Sequence, residues 1–211
     1  MPHLAGLLDR AAVVDTIWPR GVYVGAHWTS MFTGRIPTNH GYYCWAAVDR
    51  DTYQWRETTP KETVGTRVWN ALSDAGHRVA VLDVPHTFPE PGLDGVMLAE
   101  WGCHDRHFAT QSHPPGLVDE LAASIGPHPV GTAPGPGGTP AFAACDYVHR
   151  SGLHRTPGEN LALLEDLREG VRRKTEASLS LLDRGGWAWF FTTFGESHCV
   201  GHQFWHVHDA T

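Results

Sequence analysis

No run of apolar residues in this 211-residue chain approaches the length of a transmembrane helix, and the N-terminus lacks the apolar core of a signal peptide. A membrane partner is therefore not expected, and the cytoplasm is the default compartment. The four cysteines, Cys44, Cys103, Cys145 and Cys199, are scattered and form no C-x-x-C pair, so reduced thiols are expected rather than disulfides. A basic face is missing too. The net charge is −7 with histidine neutral, and the one basic cluster, Arg172, Arg173 and Lys174, falls in a helical pattern that reads as a solvated face. That excludes a nucleic-acid polymer as the expected partner. There is no internal repeat. What remains, with 41% hydrophobic residues, is enough for one domain with its own core over residues 1–211.

Histidine and tryptophan, in contrast, are abundant, at 15 and 9 residues. Core packing accounts for much of the tryptophan; the histidine excess points to metal or acid–base chemistry. Thr59-Pro60-Lys61-Glu62 has the form of a capping box with proline at the first helical position. Val64, Val68, Leu72 and Ala75 follow at helical spacing, and Gly76 stops the helix. Arg78 to Val84 reads as a buried strand, and Gly95 to Glu100 as a second. Pro114 to Ile125 reads as a helix, followed by a Gly/Pro-rich loop over about 126–140. Glu159 to Arg184 predicts a long helix with Leu164, Leu167, Val171 and Leu182 on its core side. Gly185-Gly186 break it, and Trp187 to Phe194 predicts a buried strand. Strand, helix, strand with buried runs argues for an α/β fold, a mostly parallel central sheet in a three-layer α/β/α arrangement. In such sheets ligands bind outside the carboxyl ends of the strands.

One stretch sits at such an end. FGESHCVGHQFWHVHD, residues 194–209, holds four histidines with Glu196 and Asp209 at its edges. His198 and His202 are four residues apart and share a face if helical, so both can reach one ion. His202 and His206 repeat the spacing, and Glu196 can add a carboxylate oxygen. Imidazole and carboxylate donors without thiolate suit zinc, manganese or iron. The competing assignment is a set of surface or hydrogen-bonded core histidines. A second stretch, HWTSMFTGRIPTNHGYYCW, residues 27–45, offers Thr29 and Ser30 as nucleophiles, or as caps of a short helix. A third, Glu100 to Asp105, suits a pocket wall, with Trp101 packed and Asp105 capping a turn.

Three motifs together resemble the alkaline phosphatase superfamily, in its type I phosphodiesterase and nucleotide pyrophosphatase-like branch. W-T-S-M-F-T-G-R-I-P-T-N-H-G is similar to the helix after the superfamily's nucleophile, with its T-G-x-x-P-x-x-H-G ending. L-D-V-P-H-T-F-P-E-P-G-L-D-G-V-M resembles the branch's strand-and-loop motif. F-G-E-S-H-C-V-G-H-Q-F-W-H-V-H-D resembles its metal motif, E-x-D-x-x-x-H-x-x-W. The motifs stand in the family's order and spacing along almost the whole chain. The resemblance implies a two-metal hydrolase of small-molecule phosphate mono- or diesters, with zinc the first choice of divalent ion and manganese the second. It puts His202 at the motif's histidine ligand and His198 in the slot of its aspartate, with Glu196 just before. It leaves Thr29, or Ser30, as the candidate catalytic hydroxyl, given a shifted backbone, and His40 as a substrate contact.

The chain also departs from the pattern. The family's nucleophile slot, nine residues before Thr33, is Val24, which cannot attack. Asp15, after Val13-Val14, lies too close to Thr33 to stand for the aspartate of the first family strand. The later D-H-G motif is not found, so the chain is expected to be a shortened member or the middle of one. Two alternatives follow. One is a non-catalytic protein that keeps the scaffold and binds a metal or ligand. The other is an unrelated metal module closed by His198, His202 and His206. On the family comparison His206, His208 and Asp209 rank below the others, as the start of the next helix.

Overall fold

The computed structural model describes residues 2–17, 20–102, 109–129 and 155–208. Its elements run α1 (Pro2–Leu8), α2 (Val24–Thr33), α3 (Pro37–His40), β1 (Ala46–Val48), β2 (Trp55–Glu57), α4 (Val68–Asp74) and β3 (Val79–Leu82). Then follow β4 (Gly95–Ala99), β5 (Gln111–His113), α5 (Leu117–Ile125), α6 (Pro157–Asp183), β6 (Trp189–Thr192) and α7 (Glu196–His208).

The unbroken apolar run Val79–Leu82 is buried on both faces, as a central parallel strand requires. It pairs in parallel with β4, Val79 opposite Gly95, and in parallel with β6, Val79 opposite Trp189. β5 adds antiparallel to the other side of β4, giving the order β5-β4-β3-β6. Gly95 is required where it stands. Its φ is 143° and a Cβ there would meet the Val79 carbonyl oxygen at 1.8 Å.

Side-chain alternation then sorts the helices. Ala80, Leu82, Val96 and Leu98 pack with Leu117 and Leu121 of α5 and Ala177 and Leu181 of α6. Val79, Val81, Met97 and Ala99 face the other way, onto Phe32 of α2 and Trp69 of α4. Helices cover both faces of a mostly parallel sheet, which is the expected α/β/α layering. Each fully buried Leu contributes about 1.5–3 kcal/mol relative to an exposed one. Leu82, Leu98, Leu117, Leu121 and Leu181 are at most 2% exposed, so each carries a full share of that stabilisation. Among the described residues no helix is long and apolar enough to cross a membrane.

Three expectations need correction. The helix expected from Thr59 onward is two elements. The capping box of Thr59 and Glu62 forms, but on a single 3-10 turn, Pro60–Glu62, and α4 begins only at Val68. Gly65 between them has φ 122°, outside any helix, and the Val64 amide donates to the His40 carbonyl instead. β6 is only half-buried, because it forms the sheet edge. On α6 the buried stripe is Leu163, Leu167, Gly170, Lys174, Ala177, Ser178 and Leu181; Val171 and Leu182 are exposed. Leu167 is buried as expected, the other expected positions give way to the residue before each, and Lys174, expected on the solvated face, is in the core. Of the Gly/Pro-rich loop, residues 130–140 lie outside the described residues, as do Cys103, His104, Asp105, Cys145 and Asp209.

Candidate functional site

The parallel strands β3, β4 and β6 end on the same edge of the sheet. The residue just past β3 is Asp83 and the one just past β4 is Glu100. Both have left-handed backbone, φ 53° and 60°, as does His86 at 60°. Such conformations are costly for non-glycine residues and cluster at functional sites. The Asp83 carboxylate accepts the amides of Trp101 and Gly102, each at 2.8 Å, which ties the end of β3 to the end of β4. The Thr193 hydroxyl donates to the Asp83 carbonyl, and the Thr193 amide to the Leu82 carbonyl at 3.2 Å, which ties in the end of β6.

Three further ionisable side chains join Asp83 there. Lys174 Nζ lies 2.7 Å from Asp83 Oδ2 and 3.2 Å from Glu196 Oε1. His128 Nε2 lies 2.7 Å from the same Glu196 oxygen. A carboxylate only accepts, so the proton of this bond is on His128 Nε2. All four side chains are at most 2% exposed. Burial alone would raise the Glu196 pKa, but the His128 hydrogen bond and the Lys174 charge outweigh it and hold the carboxyl below its ordinary range. The ring of His128 fits because its neighbours lack side chains. A Cβ on Gly102 would come within 2.6 Å of it and one on Gly170 within 2.7 Å. Trp101 closes the cradle edge-on, with ring centroids 5.4 Å apart, and is packed in the core as expected.

α7 begins at this cluster. Glu196, Cys199 and Gln203 are buried, while His198 and His202 are exposed on the opposite side. The two histidine rings are 4.4 Å apart, centroid to centroid, on one helix face. The structure therefore brings His198 and His202 together and turns Glu196 away from them. The side chains of His206 and His208 lie outside the described residues.

At the other motif, Val24 is the first residue of α2 and is exposed. The cap position is Tyr23, so neither Thr29 nor Ser30 caps this helix. Thr29 is mid-helix and fully buried, its hydroxyl donating to the Gly25 carbonyl at 3.3 Å. His40 is also fully buried. Its Nδ1 accepts the Tyr42 amide at 3.1 Å, which leaves the Nε2 proton facing Ser30 Oγ at 3.0 Å. Burial makes this imidazole less basic, partly opposed by the Ala26 carbonyl. In that tautomer His40 donates to Ser30 and cannot take its proton. The His86 ring rests on the first turn of α2, where a Cβ on Gly25 would meet it at 2.5 Å, with Tyr23 and Tyr42 at its edges. α2 packs against α3, and α7 against α6.

The family model for type I phosphodiesterase / nucleotide pyrophosphatase matches residues 1–210. The chain belongs to that family. No curated protein and no solved structure gives a significant match to it.

A divalent metal in a phosphodiesterase-family site would need the motif residues as donors. His198 and His202 fit: two imidazoles on one exposed face, four residues apart. Glu196 does not. Its buried carboxylate already faces the Lys174 ammonium, and no three His, Cys, Asp or Glu side chains among the described residues converge as a metal cage. Sequence reasoning missed Asp83, Lys174 and His128. Lys174 was legible in principle, because Leu163, Leu167, Gly170, Lys174, Ala177 and Leu181 recur at spacings of three and four. Asp83 follows a buried strand directly. Nothing in the local sequence singles out His128.

Proposed function

We propose that this member of the family hydrolyses phosphate mono- or diesters of small molecules with the help of a divalent metal, zinc by its donor chemistry and manganese as the alternative. The observation that carries the proposal is the exposed His198–His202 pair at the carboxyl end of β6. That is the edge of a parallel sheet where ligands bind. A divalent ion at this pair supplies polarisation of the phosphoryl oxygen. The chain's own contribution is the rigid start of α7, which holds the two imidazoles on one face. A small-molecule substrate and a cytoplasmic setting belong to the same proposal.

The test is metal content of the purified chain together with turnover of p-nitrophenyl phosphate and bis-p-nitrophenyl phosphate. His202→Ala is expected to lower kcat/KM at least tenfold, about 1.4 kcal/mol. A chain with neither bound metal nor turnover would end the enzymatic reading.

A second reading, a scaffold that binds without catalysing, is favoured by specific observations. Val24 stands in the nucleophile slot, and the candidate substitute hydroxyl of Thr29 and the candidate substrate contact His40 are both fully buried. On this reading His202→Ala changes metal affinity and nothing else.

A further inference from the structure

Glu196 opens the motif that resembles a metal site, yet one oxygen of its buried carboxylate, Oε1, already faces a cation that the protein carries itself. Lys174 Nζ stands between Asp83 Oδ2, at 2.7 Å, and Glu196 Oε1, at 3.2 Å. Those carboxylates come from the end of β3 and the start of α7, and the ammonium from the middle of α6. We propose that Lys174 is the resident cation of the strand-end site, a positioning residue that fixes the first turn of α7 and keeps Glu196 out of metal ligation. The proposal rests on the reading above only in naming the His198–His202 face as what is positioned.

Two buried carboxylates need a counter-charge, because an isolated one is strongly disfavoured away from water. Lys174 is 1% exposed and supplies it. A divalent ion ligated by Glu196 Oε1 would lie within a few ångströms of the ammonium, and at low dielectric that repulsion is severe. Lys174 stands in the buried stripe of α6, one turn from Gly170 and Ala177, so its ammonium is held away from solvent. His128 further commits the same Glu196 oxygen. The rotation of α7 follows. With Glu196 pinned inward, Cys199 and Gln203 fall on the buried side, Cys199 against Leu163 and Leu167, and His198 and His202 face out.

The experiment compares the full chain with Lys174→Met, Glu196→Gln and His202→Ala. Hydrogen exchange of peptides over 196–208 and titration with Co²⁺, followed by its visible absorbance, are read on each. Lys174→Met removes none of the histidine donors, yet is expected to speed α7 exchange at least tenfold, with β3 and β4 peptides unchanged. Glu196→Gln is expected to bind Co²⁺ within about twofold of the parent, and His202→Ala at least tenfold more weakly. Parental α7 protection in Lys174→Met overturns the proposal. So does tenfold weaker Co²⁺ binding by Glu196→Gln with α7 exchange unchanged, since that is how a ligand behaves. If Lys174→Met does not fold, Lys174→Met/Glu196→Gln replaces it, with fast α7 exchange in support and parental protection against. A parent chain that binds no Co²⁺ ends the metal part of the proposed function, and the exchange comparison then decides on Lys174 alone.

Discussion

Gly102 and Gly170 face the His128 ring within distances no Cβ tolerates, 2.6 and 2.7 Å. At Gly170 two effects oppose each other. Alanine is the better helix former in mid-α6 by up to about 1 kcal/mol. Its methyl, however, would press on a buried ring that has Trp101 beside it, and would itself stand 3.2 Å from Glu196 Oε1. Overpacking a site of this kind costs about 1–3 kcal/mol. Sterics win: Gly170→Ala is expected to lower the unfolding free energy by about 1–2 kcal/mol in urea denaturation. A variant as stable as the parent would show that the cradle yields. The same cradle shows how a residue can matter by what it lacks, which no list of polar side chains reveals.

α6 is the element on which the architecture and the site meet. Its N-terminus is written in the sequence as Thr156-Pro157-Gly158-Glu159, and the structure shows the full reciprocal cap. The Thr156 amide donates to Glu159 Oε2 at 2.7 Å, and the Glu159 amide to Thr156 Oγ1 at 3.3 Å. Thr156→Ala is expected to cost about 1 kcal/mol, read as a drop in melting temperature. Faster exchange is expected in the first turn only, because the stripe from Leu163 to Leu181 holds the rest. Exposed Arg172 contacts Glu169 and Glu176 in the same helix, and such surface pairs contribute little each. Lys174, two residues on, belongs to another category, since burial rather than charge type decides what an ion pair is worth.

For the whole molecule the buried cluster links stability to pH. The folded Glu196 carboxyl has its pKa below the ordinary range, so its share of stability is full above the unfolded pKa, about 4.3 for glutamate. That share is lost as pH falls through the lowered folded value. The urea midpoint is therefore expected to drop on acidification below about pH 4, and Glu196→Gln to flatten that limb. An unchanged acid limb in Glu196→Gln would rule out this origin. Much of the architecture follows from the sequence by itself: the apolar runs at Val79–Leu82 and Gly95–Ala99, the places of α5 and α6 in the chain, and the α/β/α layering they imply. Those features depend on neighbours along the chain, where periodicity and turn chemistry act directly. The pairing of His198 with His202 was legible for the same reason, as two residues one helical turn apart. Only the tertiary structure decided that Glu196 points away from them. It does so because Lys174, itself held by Asp83 at the end of β3, and His128 reach it from distant parts of the chain, and no spacing along the chain encodes which buried charges will meet.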